Sequence, residues 1–405
     1  MAEVITSATI GQKSAEQIPS EKEILQRARA LIPMLREKAA QVERDRMVSR
    51  ETIAAFKEAG FFKILQPKQY GGWEMHPGVF YKVLWELGRG CGSSAWDMMV
   101  LGVHQWEYGV MDPRAAEDVW GEDPTVITAS SYALWGDCRR VDGGYILNGK
   151  WRTSSGCDHA EWAFIGGGAK NAEGEIVDRL ALLIPATDYV IEDDWYVFGL
   201  AGTGSKTLVI KDVFVPEHRV HSVIDYKPEQ ARGDYYRLPF FQAFFGAVSC
   251  VIIGIAQGAI DVYAEQMAVR KDPTGQVSAS LSPYVKDRLG NAVAKVRGAK
   301  ARIQQVLDES TECVLEGLPV PLDMRVHHLL DIARVGRECE EAVMLLFKAL
   351  GARGMYLNNP MQRILRDVIA GAQHITQNAD DTAGALGGFI LGQGVPPLLF
   401  GPKLD

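Results

Sequence analysis

Residues 151–160 read WRTSSGCDHA, which places two serines, a cysteine, an aspartate and a histidine within one short stretch. These residue types admit three chemistries: a nucleophile with its base, a metal site, or a polar turn whose hydroxyls serve the backbone or a bound group. A structural zinc needs four ligands, and no second Cys/His cluster stands elsewhere to complement Cys157 and His159. A catalytic triad fares no better. No G-x-S-x-G elbow occurs in the chain, and adjacent residues on a strand point to opposite faces, so they seldom converge. The plainest alternative is a turn in which Ser154 and Ser155 satisfy backbone groups.

Moving outward, Asp142-Gly143-Gly144 and Asn148-Gly149 are tight-turn signals among β-rich runs such as YIL and TLVIKDVFV. They define a small β domain over residues 123–232. Helical patterning flanks it on both sides. In residues 1–122, Ser20 and Glu23 form a capping-box signature and Ile24, Leu31 and Leu35 fall at helical spacing. Pro33 is expected to kink or restart that helix, and Asp112-Pro113 reads as an N-cap followed by proline at the first helical position. In residues 233–405, Leu289, Val293, Val296 and Ile303 form one apolar stripe. The tail VPPLLFGPKLD is expected to be extended because of its prolines. The order helix–sheet–helix gives an α+β fold and excludes a doubly wound nucleotide-binding sheet. The stretch GLAGTGSKT at 199–207 is not a phosphate loop, because Ser205 stands where the lysine belongs and a strand follows.

With 405 residues, 47% hydrophobic and 23% charged, the composition is that of a soluble globular protein with room for a large core. The net charge of −8 argues against nucleic acid or an anionic membrane as partner. No apolar run appears long enough to span a bilayer, and MAEVITSATIGQKSAEQIPS is not a signal peptide. Six scattered cysteines without a CxxC pair suit reduced thiols and a cytoplasmic location. His104 and His374, each in a helical setting, read by themselves as ordinary core histidines.

Four motifs in order, FFKILQPKQYGG, SSGCDHAEW, DDWYVFGLAGTGS and RILRDVIAGAQH, span nearly the whole chain. Together they resemble the acyl-CoA dehydrogenase fold, and more closely its flavin-dependent monooxygenase branch. That branch comprises oxygenase components of two-component aromatic hydroxylases, such as those acting on 4-hydroxyphenylacetate and on the phenolic ring of steroid breakdown products. The resemblance implies an N-terminal α domain, a central β domain and a C-terminal four-helix bundle through which homotetramers assemble. It further implies that a separate NAD(P)H:flavin reductase supplies reduced FMN or FAD, and that O2 then forms a C4a-hydroperoxyflavin which hydroxylates a phenol.

On this resemblance the strand after the Asn-Gly turn passes the flavin. Thr153, Ser154, Ser155 and Gly156 bind it, with the Ser155 hydroxyl at N5 and Arg270 at a flavin phosphate. His104, with Ser130 or Ser131, takes the substrate hydroxyl; Trp96 walls the ring pocket; His374 manages the peroxide and its protons. No metal is implied. Thr153 departs from the aromatic residue frequent in the family, and Val269-Arg270-Lys271-Asp272 reduces the family's FAD-gripping motif. The alternatives are an acyl-CoA dehydrogenase or a sulfur- or nitrogen-monooxygenase of the same fold. A dehydrogenase needs a carboxylate base for the α-proton. Neither AQHITQNADD, which follows Arg363–Asp367, nor LPFFQAFFGAV supplies the glutamate at the two places where that family carries it.

Overall fold

The computed structural model describes residues 18–271 and 275–400. Most of the N-terminal stretch, Asp272 and the last five residues of the tail lie outside them. Among the described residues, the N-terminal region forms helices α1 (Glu21–Asp45), α2 (Arg50–Glu58), α3 (Pro77–Gly88), α4 (Gly92–Glu107) and α5 (Pro113–Trp120). The capping box forms as expected: Glu23 N–H donates to Ser20 Oγ at 3.3 Å, and Ser20 N–H to Glu23 Oε2 at 2.7 Å. Helix α1 continues through Pro33 without restarting. Pro33 is exposed, so solvent can take up the one carbonyl the ring leaves unpaired. Asp112 caps α5, its side chain accepting from Arg114 N–H, with Pro113 at the first position.

The middle of the chain folds into two four-stranded sheets. One runs in the order β1 (Thr128–Ser131), β4 (Trp162–Lys170), β5 (Ile176–Pro185), β8 (Val220–Ser222). The other runs β2 (Asp137–Val141), β3 (Gly144–Ser154), β7 (Lys206–Pro216), β6 (Tyr189–Glu192). The Asp142-Gly143 turn joins β2 to β3, with Gly143 at φ 74°. Asn148-Gly149 is not a turn. Strand β3 runs straight through it, and the register against β7 shifts between Leu147 and Gly149. A Cβ at Gly149 would lie 2.8 Å from Gly136 Cα, so this glycine serves a bulge and a close backbone approach.

Among the described residues, the C-terminal region forms helices α6 (Phe240–Val269), α7 (Pro283–Leu315), α8 (Leu322–Leu350), α9 (Pro360–Ala372), α10 (Ala379–Ile390) and α11 (Pro397–Phe400). Helices α6 to α9 form the bundle, and α10 packs on α8. The stripe on α7 faces it, with Val296 and Ile303 each 1% exposed. Helix α6 corrects the view that no apolar run could span a bilayer: by length and composition it could, but 89% of its most apolar window is buried inside the fold. Its apolar character is that of a core helix wrapped by α3, α4, α7, α8 and α9. The tail is likewise not wholly extended. Pro397 opens the short turn α11, since proline fits a first helical position.

Candidate active site

The opening stretch folds as the end of β3 followed by a tight turn over Cys157–His159. Two of the reactive-looking side chains there have structural partners. Asp158 pairs with Lys206 Nζ at 2.8 Å, and Cys157 Sγ lies 3.7 Å from the Gly204 carbonyl. Burial pushes the Cys157 thiol up to about 12, which removes its nucleophilic character. The turn is pinned to the GLAGTGS segment, because Gly156 N–H donates to the Thr203 carbonyl at 3.0 Å. Two motifs distant in sequence thus meet in space. Helix α9 holds the second of them: Asp367 Oδ1 accepts from Leu200 N–H at 2.7 Å.

Where they meet, hydroxyls form a row. Ser155 Oγ and Ser205 Oγ are 2.7 Å apart, Ser205 Oγ and Thr203 Oγ1 are 2.6 Å apart, and Thr203 Oγ1 donates to the Leu200 carbonyl at 2.9 Å. The direction of this row follows from its end. A carbonyl only accepts, so Thr203 spends its hydrogen on Leu200 and must accept from Ser205; Ser205 must then accept from Ser155. Ser155 Oγ is left with lone pairs and no hydrogen to offer. Beside it Ser154 Oγ is buried without a partner among the described residues. Thr153, at φ 59°, is a β-branched residue in the left-handed region, at a register shift between β3 and β7.

Helix α4 brings the remaining residues to this strand. Leu101 packs on Gly156, where a Cβ would stand 3.1 Å from Leu101 Cδ1. One turn on, His104 is 1% exposed, with the rings of Phe244, Phe164 and Tyr132 at 5.2, 5.5 and 5.7 Å. Its Nδ1 lies 3.1 Å from Glu107 Oε2, and its Nε2 is buried without a partner among the described residues. Tyr132 donates to the same carboxylate oxygen at 2.6 Å, and His221 Nε2 lies 2.6 Å from Glu107 Oε1. Burial would raise the Glu107 carboxyl, but the hydrogen bonds with His104 and His221 outweigh it and hold it below the usual range.

Toward the other end of α4, Trp96 meets His374 edge-on at 5.5 Å. His374 Nδ1 accepts from Thr376 N–H at 3.4 Å and lies 3.0 Å from Thr376 Oγ1, and burial lowers this imidazole to about 4. Ser131 donates to the Arg152 carbonyl at 2.6 Å, which ties β1 to β3. Ser130 falls on the opposite face by alternation, the face shared with Tyr132. Arg270 lies apart at the end of α6. Among the described residues its guanidinium has no hydrogen-bond or ion-pair partner.

Glu107, Tyr132, His221, Thr203 and Ser205 are additions that no reading of the sequence singled out. For Glu107 the signal was present: it stands three residues after His104 on one helix, the spacing at which side chains meet. For His221 there was none, since it comes from a strand 114 positions beyond Glu107. The loop after β8 lines a cavity of about 280 Å³. His221, Phe240 and Trp106 contribute to its wall, so it adjoins the His104 cluster.

Two family models match the chain, the acyl-CoA dehydrogenase N-terminal domain over residues 19–109 and the acyl-CoA dehydrogenase C-terminal domain over residues 247–379. The flavin-dependent monooxygenase oxygenase subunit HsaA of Rhodococcus jostii is 36% identical, over 88% of this chain and 95% of its own. The oxygenase component of p-hydroxyphenylacetate 3-hydroxylase from Acinetobacter baumannii is 28% identical, over 93% of this chain and 90% of its own. The crystal structure of 3-HSA hydroxylase from Rhodococcus sp. RHA1 superposes with a TM-score of 0.87 at 34% identity, covering 95% of this chain and 98% of that one. A buried hydroxyl row beside an aromatic-walled histidine, on a helix–sheet–helix frame shared end to end with these proteins, makes the chain a member of the flavin-dependent monooxygenases of the acyl-CoA dehydrogenase fold, as an oxygenase component.

Proposed function

We propose that the chain hydroxylates a phenolic ring, using FMN or FAD reduced by a separate NAD(P)H:flavin reductase. The observation that carries this reading is the hydroxyl row, in which Ser155 donates to Ser205 and so has only lone pairs to offer a ligand at the strand where the family places its flavin. Three features fit the cofactor: Ser155 has lone pairs to offer an N–H donor and, among the described residues, Ser154 Oγ is buried without a partner and the Arg270 guanidinium has no partner in place of a phosphate. Thr153 and Gly156 set the backbone of that wall. When bound, the reduced flavin supplies activation of O2 and delivery of one oxygen atom. Ser155 holds the N5 proton in place and, with the buried turn behind it, keeps water from carrying that proton away.

The protein's own work on the substrate falls to His104. Its imidazole, with Nε2 unpartnered among the described residues, lies among the rings of Phe244, Phe164 and Tyr132, a setting that suits a flat aromatic with one polar edge, and removing the phenol proton makes the ring more electron-rich. Ser130 can orient the same oxygen, whereas Ser131 has already given its hydrogen to the backbone. A phenol is also what the relative from Acinetobacter baumannii acts on by name. Trp96 walls the far end beside His374, whose Nδ1 accepts from Thr376 N–H, so the neutral imidazole carries its hydrogen on Nε2 and can offer it to an oxygen there. The cavity beyond His221 offers room for a ring substituent. A homotetramer is supported by exposed apolar side chains on the C-terminal helices, and a cytoplasmic setting by the six free cysteines.

The test is rapid mixing of the anaerobic protein and reduced flavin with oxygenated buffer, followed by near-ultraviolet absorbance. A long-lived transient is expected, shortened on the order of tenfold in Ser155→Ala, as loss of about 1.4 kcal/mol of hydrogen bonding dictates. Immediate return of oxidised flavin with stoichiometric peroxide in the unaltered protein would sink the mechanism.

A further inference from the structure

Glu107 is fully buried, yet its two oxygens are met by three groups: Tyr132 and His104 at Oε2, and His221 at Oε1. Proton accounting decides what each does. His221 Nδ1 lies 2.9 Å from the Ser222 carbonyl, which can only accept, so that nitrogen carries hydrogen. If Glu107 is ionised, His221 Nε2 carries hydrogen too, and His221 is an imidazolium matched to the carboxylate. A buried carboxylate without such a cation is costly. Tyr132 spends its hydrogen on Glu107. The His104 Nδ1 contacts, with Glu107 at 3.1 Å and with the Tyr132 oxygen at 3.2 Å, therefore both require hydrogen on His104 Nδ1. That leaves His104 Nε2, which is buried and unpartnered, as a bare lone pair.

We propose that Glu107 is the positioning residue of this site: it fixes His104 as the Nδ1–H tautomer, so that Nε2 receives the substrate's phenolic proton, while His221 supplies the counter-charge that keeps Glu107 ionised. This rests on the phenol reading above and deepens it. The step is a proton transfer alone. The phenol O–H bond breaks, an N–H bond forms at His104 Nε2, and the phenolate and imidazolium produced cancel in charge. Nothing is oxidised. Glu107 does not act as a free base itself, because its lone pairs are already engaged by three donors. The titratable groups facing it are His104 and Tyr108 on or beside α4, Tyr132 after β1, and His221 on β8; Tyr108 is bonded to Thr128 at 2.7 Å.

The experiment uses the full chain with reduced flavin under anaerobic conditions and 4-nitrophenol as probe, its phenolate read by visible absorbance across pH. Bound to the unaltered protein, the probe is expected to ionise at lower pH than in water. In Glu107→Gln its midpoint should rise by about one pH unit, a tenfold loss of phenolate at a given pH, because an amide N–H facing His104 Nδ1 moves the imidazole hydrogen to Nε2. A variant that titrates like the unaltered protein overturns the role of Glu107 and leaves phenol binding intact. A probe that does not bind, or ionises as in water, overturns the phenol reading and this inference together. A second measurement does not depend on the variant folding: nitrogen-15 histidine spectra of the unaltered protein, with His104→Gln used only to assign the signal. Hydrogen on Nδ1 of His104 is expected, and hydrogen on Nε2 overturns the proposal.

Discussion

His374 shows how one half-buried imidazole ties site chemistry to stability. Burial lowers it to about 4 in the folded chain, against an ordinary value near 6.5. Between those values the unfolded chain binds a proton that the folded one does not, so acidification favours unfolding and the penalty grows as pH falls from about 6.5 to about 4. Above that window His374 contributes nothing to pH dependence. His374→Gln removes the term. Relative to the unaltered protein, the variant should therefore gain stability between about pH 7.5 and about pH 5 in paired urea melts; a difference that stays constant with pH would refute it. The residue itself was visible in RILRDVIAGAQH, but its charge state was not, because desolvation depends on what packs around the ring. The same holds for Thr153. Its type could be read from the sequence, and its left-handed backbone could not, since the strain belongs to the register shift between β3 and β7.

At the scale of elements, α4 is the spine of the site. It presents Trp96 to His374, Leu101 to Gly156, and His104 with Glu107 to β1 and β8. Eight residues separate Trp96 from His104, about 12 Å of helix, so one rigid element sets the spacing between the two histidines. Helix α6 presses on this spine and is itself located by a glycine contact with α3. A Cβ at Gly254 would lie 2.9 Å from Gly88 Cα and 2.9 Å from the carbonyl oxygens of Leu84 and Trp85. Backbone cannot rotate away, so Gly254→Ala should force the helices apart and cost about 1–3 kcal/mol, read as a lower midpoint in denaturant melts. An unchanged midpoint would show that the crossing relaxes freely. Helix existence was legible here from periodicity and caps. The bulge at Asn148-Gly149 was not, because a dipeptide that favours turns in isolation is overridden when the partner strand β7 pairs on both sides of it.

For the whole molecule, the exposed apolar surface is uneven. Met355, Tyr356 and Leu357 are 64, 66 and 84% exposed, and Ile390 and Leu391 are 68 and 74% exposed, all on or beside the C-terminal helices. Consecutive exposed apolar side chains of this size are candidate association surfaces, in keeping with the tetramer proposed above. Replacing Leu357 and Leu391 together with aspartate should reduce the sedimenting mass without altering the far-ultraviolet circular dichroism. A full-size assembly in that variant would place the interface elsewhere.

The sequence by itself determined the helix–sheet–helix order, the caps of α1 and α5, the core stripe of α7, and the two motifs that meet at the hydroxyl row. These depend on local chemistry, namely side-chain periodicity, capping hydroxyls and the pattern of a strand. Tertiary structure alone decided which hydroxyl keeps its lone pairs, since that follows from Thr203 donating to Leu200 at the end of the row. It also decided that Glu107 stands between His104 and His221. Hydrogen-bond direction and the charge of a buried group are properties of the neighbours, and those neighbours arrive from strands and helices far away along the chain.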